Sequence, residues 1–261
     1  MRYHLFNADV YQALPGIKNK AFNLCLSDPP YGIKESSKNH QGRNTPIKQK
    51  NGSILRAPAV DYGRFDWDHE TPPTAFFEEI RRVSDIQLIF GANYFESIAG
   101  TAFKSPRRPQ FEEFIAGNPY HWIIWDKVNG TNDFNDCELI WCSHPIESYI
   151  LPFMWNGMLQ GKSITEGKIA QGNKKLQQKR IHPTEKPILL YQFLIGQMLN
   201  FIPASHKSLK IIDTHLGSGS SILGARRTGL DIDFTGYEKN SIILHKAETR
   251  ANTTFAQGTI L

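Results

Sequence analysis

The chain has 261 residues, 40% hydrophobic and 21% charged, enough apolar material for one large α/β domain and too much for a disordered chain. No apolar run approaches the ~18–20 residues needed to cross a bilayer, and the start MRYHLFNADV lacks a signal-peptide core, so a cytoplasmic protein with no membrane partner is expected. The formal net charge is +5, and the three cysteines, Cys25, Cys137 and Cys142, read as free thiols.

Short apolar runs bounded by turn or charged residues predict strands near Tyr3–Phe6, Phe22–Ser27, Ile86–Phe90, His121–Trp125, Glu138–Cys142, Leu209–Asp213 and Phe234–Tyr237. Helices are expected between and after them. PPTAFFEEIRRV sets Phe76, Ile80 and Val83 on one face, with Pro73 in the first turn. KPILLYQFLIGQMLNFI is apolar nearly all round and reads as a buried helix starting at Pro187, while NSIILHKAETRANTTF closes the chain. This alternation predicts an α/β sheet with a largely parallel core. The stretch CELIWCSH reads as a strand; Cys137, Cys142 and His144 match no zinc spacing, and no metal is expected.

Two segments, Gly32–Pro72 and Asn156–Ile181, fit neither element and are too long for plain connections. Residues 32–56 and 156–181 each carry six lysines and arginines against one glutamate, so each is +5 and the remainder of the chain is −5. Basic, polar segments on an acidic body suit a polyanion, most commonly nucleic acid, although solvated loops have the same composition.

Ligands of such sheets bind at the carboxyl ends of strands. Two strand ends stand out. One runs IIDTHLGSGSSILGA, where Gly217, Ser218 and Gly219 allow backbone to approach a ligand at a helix start; it is neither a P-loop nor the full dinucleotide fingerprint. Glu238, about twenty residues on in FTGYEKN, occupies the position of an acid that binds ribose hydroxyls. The other is SDPPYG. Asp-Pro-Pro-Tyr arises by chance in roughly one chain in a thousand of this length. Its prolines stiffen the backbone and free the carbonyls as acceptors. Asp28 and the Pro29 carbonyl could then accept both protons of one planar amine, with Tyr31 stacked on the ring that carries it, as the grip on a flipped base requires.

These residues resemble the amino-methylating DNA methyltransferases that use S-adenosylmethionine, in which Asp/Asn/Ser-Pro-Pro-Tyr/Phe is the catalytic motif and a glycine-rich turn binds the cofactor. The order here resembles their β group: the catalytic strand comes early, the glycine turn late, and IHPTEKP just before it is similar to a His-Pro-Thr-Gln-Lys-Pro segment. The turn departs from the common Asp-Pro-Phe-x-Gly-Ser-Gly-Thr at Thr214 and His215, and Glu185 stands where glutamine is commoner.

The resemblance implies a class I methyltransferase-like, doubly wound, mostly parallel seven-stranded sheet in circularly permuted order. It divides the chain into a catalytic and cofactor-binding domain (1–155 and 182–261), a target-recognition insert at 156–181 and a long basic loop at 32–72. It implies S-adenosyl-L-methionine as cofactor, duplex DNA as substrate and methyl transfer to the N6 amine of a flipped adenine. Asp28, Pro29, Pro30 and Tyr31 are then catalytic. Asp9, Thr184, Lys186, Asp213, Gly217, Ser218, Gly219 and Glu238 hold the cofactor. From charge, Lys34, Lys38, Arg43, Arg107, Arg108, Lys174, Lys175, Lys179 and Arg180 are candidates for DNA contact. A homodimer and a cognate restriction endonuclease remain open as partners. Alternatives are transfer to cytosine N4, an RNA or protein methyltransferase, and a non-catalytic DNA-binding protein on the same fold.

Overall fold

The computed structural model describes residues 1–33, 47–48, 54–55, 68–100, 107–129, 136–156, 159–181, 184–203 and 208–256. Lys34, Lys38 and Arg43 lie outside the described residues. The chain divides into two compact units, Met1–Pro29 with Pro72–Leu261, and Pro30–Thr71.

The first unit is built on strands β1 (Arg2–Asn7) and β2 (Phe22–Ser27), then β5 (Ser84–Phe90), β6 (Trp122–Asp126), β7 (Cys137–Cys142), β8 (Tyr149–Pro152), β11 (Leu209–Asp213) and β12 (Ile232–Glu238). They form one sheet in the order β1-β12-β11-β2-β5-β7-β6-β8. Every neighbouring pair is parallel except β5 with β7 and β7 with β6, so β7 alone runs against the rest. This is the mostly parallel, class I methyltransferase-like arrangement expected, with one strand more. The added strand, Tyr149–Pro152, pairs only with β6 and stands at the sheet edge. Its sequence YILP is short and ends in proline, which suits an edge and weakens the strand signal.

Alternation along the central strands feeds two layers of core. Leu24, Leu26, Ile86, Leu88 and Phe90 join one buried cluster with α5 (Ile188–Met198), α6 (Ser220–Arg227) and α7 (Ser241–Ala256). On the other face α2 (Thr74–Val83) buries Phe76, Phe77, Ile80 and Val83. Helix α5 buries Ile188, Leu190, Tyr191, Leu194, Ile195 and Met198, in keeping with its almost uniformly apolar sequence. Both Pro73 and Pro187 sit one residue ahead of their helices, in extended backbone. The helices α1 (Val10–Ala13), α3 (Glu96–Ala99) and α4 (Phe111–Gly117) are short.

The segment 156–181, read as irregular, belongs to the first unit and starts with a small antiparallel pair, β9 (Trp155–Asn156) with β10 (Leu159–Gln160). It is held against the end of β8: the Met154 amide donates to the Gly167 carbonyl at 2.8 Å, and a Cβ at Gly167 would sit 1.9 Å from the Pro152 carbonyl oxygen. Only glycine permits that approach. No helix among the described residues is long and apolar enough to cross a membrane.

The second unit contains an antiparallel pair, β3 (Ile47–Lys48) with β4 (Ile54–Leu55). Its first residues, Pro30 and Tyr31, enter a turn at Gly32, where φ is +71°. Buried Asp68 pins this turn, accepting from the amides of Tyr31 at 2.8 Å and Gly32 at 2.9 Å. Nothing in the spacing of the sequence marks Asp68 for that task.

Candidate active site

Strands β11 and β2 are parallel neighbours with Asp213 opposite Leu26, so both strand-end motifs emerge at the same edge of the sheet. Asp28 lies two residues beyond Leu26, about 7 Å further along an extended chain.

The glycine turn is fastened from three sides. Asp213 is buried; its carboxylate accepts from the His215 amide at 3.0 Å and from the Ser221 hydroxyl. Burial pushes this carboxyl up to about 7 despite those hydrogen bonds, and the charges of Asp28 and Glu238 add to the rise. Gly217 and Gly219 take left-handed backbone, φ +53° and +74°. The Gly217 amide donates to Glu238 at 3.0 Å, and the other Glu238 oxygen accepts from the Asn240 amide at 2.8 Å. Burial raises the Glu238 pKa, and these amides partly offset it. Buried Ser218 meets the Ser220 hydroxyl at 3.2 Å.

The two departures in the turn have visible partners. The Thr214 hydroxyl donates to Ser27 at 2.9 Å, tying β11 to β2. The His215 ring stands edge-on to Tyr11 and Phe76, with centroids 5.9 and 5.6 Å away, in the role of an aromatic. Burial holds its pKa down at about 4, so it is neutral at pH 7. Asp9 caps α1 through the Tyr11 amide and pairs with Lys239 at 2.9 Å; these outweigh its burial and hold its carboxyl below the ordinary range.

Lys186 is the link between the motifs. Its ammonium is 2.5 Å from Asp28 Oδ2 and 2.9 Å from Glu138 Oε1, and lies 5.0 Å above the Phe90 ring. The side chain is only 7% exposed, yet the two carboxylates overcome the burial that works against its charge, and its pKa lies above the ordinary lysine value. Glu138 reaches Lys127 with its other oxygen at 3.2 Å. Burial and the surrounding carboxylates Asp28, Asp213, Glu138 and Glu185 keep the Tyr191 phenol neutral.

Residues 178–181 and 184–186 brace this cluster as a strut. Gln178 exchanges hydrogen bonds with Gln160, its backbone amide donating at 2.7 Å and its carbonyl accepting at 2.7 Å. The Gln178 side chain accepts from the Ile188 amide at the start of α5 and donates to Glu185, to the Lys186 carbonyl and to Ser220. Glu185 also accepts from the Ile181 amide at 2.9 Å and pairs with Arg250 of α7, whose guanidinium donates to the Ser218 carbonyl at 3.3 Å.

Asp28, Lys186, Asp213, the Gly217–Gly219 turn and Glu238 therefore converge on one edge of the sheet. Thr184 is exposed, two residues ahead of Lys186. Among the basic candidates, Lys174, Lys175 and Lys179 are exposed. Arg180 stacks 4.2 Å over Trp155, Arg108 pairs with Asp126 at 2.7 Å and Arg107 reaches Asp136 at 4.0 Å. The sequence reading missed Glu138, Gln178 and Arg250. An acid inside the apolar strand CELIWC was a signal for Glu138; Gln178 and Arg250 had none.

No protein-family model matches the chain, and no curated protein matches it. Solved structures similar to it include the M1.HpyAVI–SAM complex, with TM-score 0.49 and 15% identity over 95% of this chain and 99% of that one. PvuII DNA methyltransferase, described as cytosine-N4-specific, gives TM-score 0.48 and 13% identity over 96% and 86%. The Thermus thermophilus protein TTHA0409, in complex with S-adenosyl-L-methionine, gives 0.44 and 14% over 97% and 95%.

Proposed function

We propose that this chain transfers a methyl group from S-adenosylmethionine to an exocyclic amine of a base in duplex DNA, the adenine N6 amine being the preferred target. The observation that carries the reading is the juxtaposition of the Asp28 carboxylate, held by Lys186 at 2.5 Å, with the glycine turn that ends the neighbouring strand. The Asp at the first position of the motif favours adenine through the resemblance described above.

The residues suit the cofactor. A Cβ at Gly217 would meet nothing nearer than the His215 carbonyl at 3.9 Å, so the turn has space in front of it. Glu238 and Asp213 border the turn, and Asp9 follows Ala8, whose amide donates to the Glu238 carbonyl; an acid at the end of the next strand matches a ribose diol. When bound, the cofactor supplies an electrophilic methyl group.

In this reading Asp28 and the Pro29 carbonyl accept the two amine protons, localise the nitrogen lone pair and aim it in line with the methyl. Positioning and electrostatics carry the rate enhancement. Because Lys186 stays an ammonium, it does not take the proton lost from the amine; Asp28 is the base within reach. The exposed Lys174, Lys175 and Lys179 are assigned to phosphate contact, and Tyr31 to stacking on the base from the motif alone.

The test is transfer of labelled methyl from S-adenosylmethionine to mixed-sequence duplex DNA, with nucleoside analysis of the product and Asp28→Ala as control. N6-methyladenine from the wild type and none from the variant supports the reading. N4-methylcytosine keeps the amine clamp and overturns the choice of base. No product on DNA, with cofactor binding intact, overturns DNA as the substrate.

A further inference from the structure

We propose that Glu138 tunes the amine clamp: by sharing the Lys186 ammonium with Asp28, it decides how much positive charge falls on the carboxylate that grips the base. This rests on the methyltransferase reading above and adds a positioning residue to it.

The geometry is that of a divided cation. Lys186 donates to Asp28 at 2.5 Å and to Glu138 at 2.9 Å, in a pocket where it is 7% exposed and Glu138 12%. The ammonium is nearly closed to water while Asp28 is 25% exposed, and each carboxylate weakens the ammonium's hold on the other. Glu138 is itself balanced by Lys127 at 3.2 Å, whose ammonium lies 5.0 Å from the Trp125 ring centroid. The row Asp28, Lys186, Glu138, Lys127 alternates acid and base, and the Lys186 ammonium is shared between two acids.

That sharing matters to the reaction. A carboxylate bearing the whole of an ammonium's charge is a poor acceptor for the weakly acidic protons of an aromatic amine. One bearing part of it stays ionised and still accepts. An acid within an apolar strand also costs stability unless it is paired, and Glu138 is paired with Lys186 and Lys127.

Among the described residues of the first unit, Asp213 and Tyr191 also act on this cluster. Asp213, on β11, with its carboxyl raised to about 7 by burial, is engaged with Ser221 and the His215 amide; Tyr191, on α5, stays a neutral phenol. Lys186, just ahead of α5, is in direct contact with Asp28, and Glu138, on β7, competes for its ammonium.

The experiment is single-turnover methyl transfer at saturating S-adenosylmethionine, on a duplex carrying the mapped site, across about pH 5–9. The proteins are wild type, Glu138→Gln, Glu138→Asp and Lys186→Met, with cofactor dissociation constants from calorimetry. Glu138→Gln hands Lys186 wholly to Asp28. Its rate should fall about tenfold and its acid limb move to lower pH, with cofactor affinity within about twofold of wild type. Lys186→Met should move the acid limb the opposite way, and Glu138→Asp should recover part of the rate. A merely structural role predicts no opposed shifts: acid limbs that stay in place, or move together, overturn the tuning role while leaving the proposed activity intact. Wild-type protein that binds cofactor and makes no methylated base overturns the proposed function, and this inference with it.

Discussion

The Arg250 guanidinium lies 2.9 Å from the Glu185 carboxylate, and the Glu185 side chain is wholly withdrawn from solvent. The two come from α7 and from the strut ahead of α5, and their contact joins the glycine turn to the segment that carries Lys186. A neutral glutamine at position 185 would need no cation. Arg250→Met leaves a buried carboxylate short of its charge partner and should lower stability by about 3 kcal/mol. Glu185→Gln in the same background should restore most of that loss, as urea unfolding of the four proteins of the cycle will measure.

Gln178 supplies the acceptor for the Ile188 amide at 2.7 Å, the cap that α5 lacks because Pro187 has no side-chain oxygen to offer. Gln178→Ala should cost about 1–2 kcal/mol in urea unfolding. The Ile188 amide should also exchange with deuterium faster in the variant, while amides in the middle of β2 keep their protection. Equal exchange at Ile188 would show that another group caps the helix.

Helices α5 and α6 touch through Gly224. A Cβ there would lie 2.6 Å from the Tyr191 Cβ and 2.8 Å from the Gln192 amide nitrogen, with backbone on both sides and no flexible tip to yield. Gly224→Ala should force the helices apart and lower stability by about 1–3 kcal/mol. Gly172→Ala, where nothing lies within 4 Å, is the matched control and should change stability by less than about 0.5 kcal/mol.

His215 makes stability depend on pH. Its folded pKa is held near 4 by burial, below the unfolded value of about 6.5. Between those values the unfolded chain binds the proton and the folded one does not, so this contribution is full above pH ~6.5 and is lost as pH falls toward 4. Asp213 acts in the opposite sense, because its folded pKa is raised to about 7: its contribution is greatest at low pH and declines as pH rises toward 7. The wild type should therefore show a shallow profile over this range. His215→Phe should gain stability relative to wild type as pH falls from about 6.5 to 4, by an amount on the order of 2 kcal/mol. Thermal melts of the two proteins at matched pH will measure that difference.

Much of the fold was legible because its signals are local. Each predicted strand is present within a few residues, since short apolar runs between turn residues behave as buried strands wherever they pair. The strand Tyr149–Pro152 escaped because four residues ending in proline carry little pattern, and its place at the edge depends on β6 being there to receive it. The small pair at Trp155–Gln160 escaped for the same reason: two-residue strands are products of packing, here of the segment lying against Pro152 and Phe153.

The candidate site divides along the same line. The sequence by itself determined the chemical groups and the strand ends that bear them: an acid before two prolines at the end of β2, and a glycine turn after β11. Only the tertiary structure decided which groups meet. Asp28 and Lys186 are 158 residues apart and Glu138 stands between them in the chain, yet one ammonium bridges both carboxylates. Periodicity and motif spacing report what a residue does to its own segment. The balance of buried charge depends on crossovers that bring distant strand ends to one edge of a sheet, where low dielectric makes each pairing obligatory.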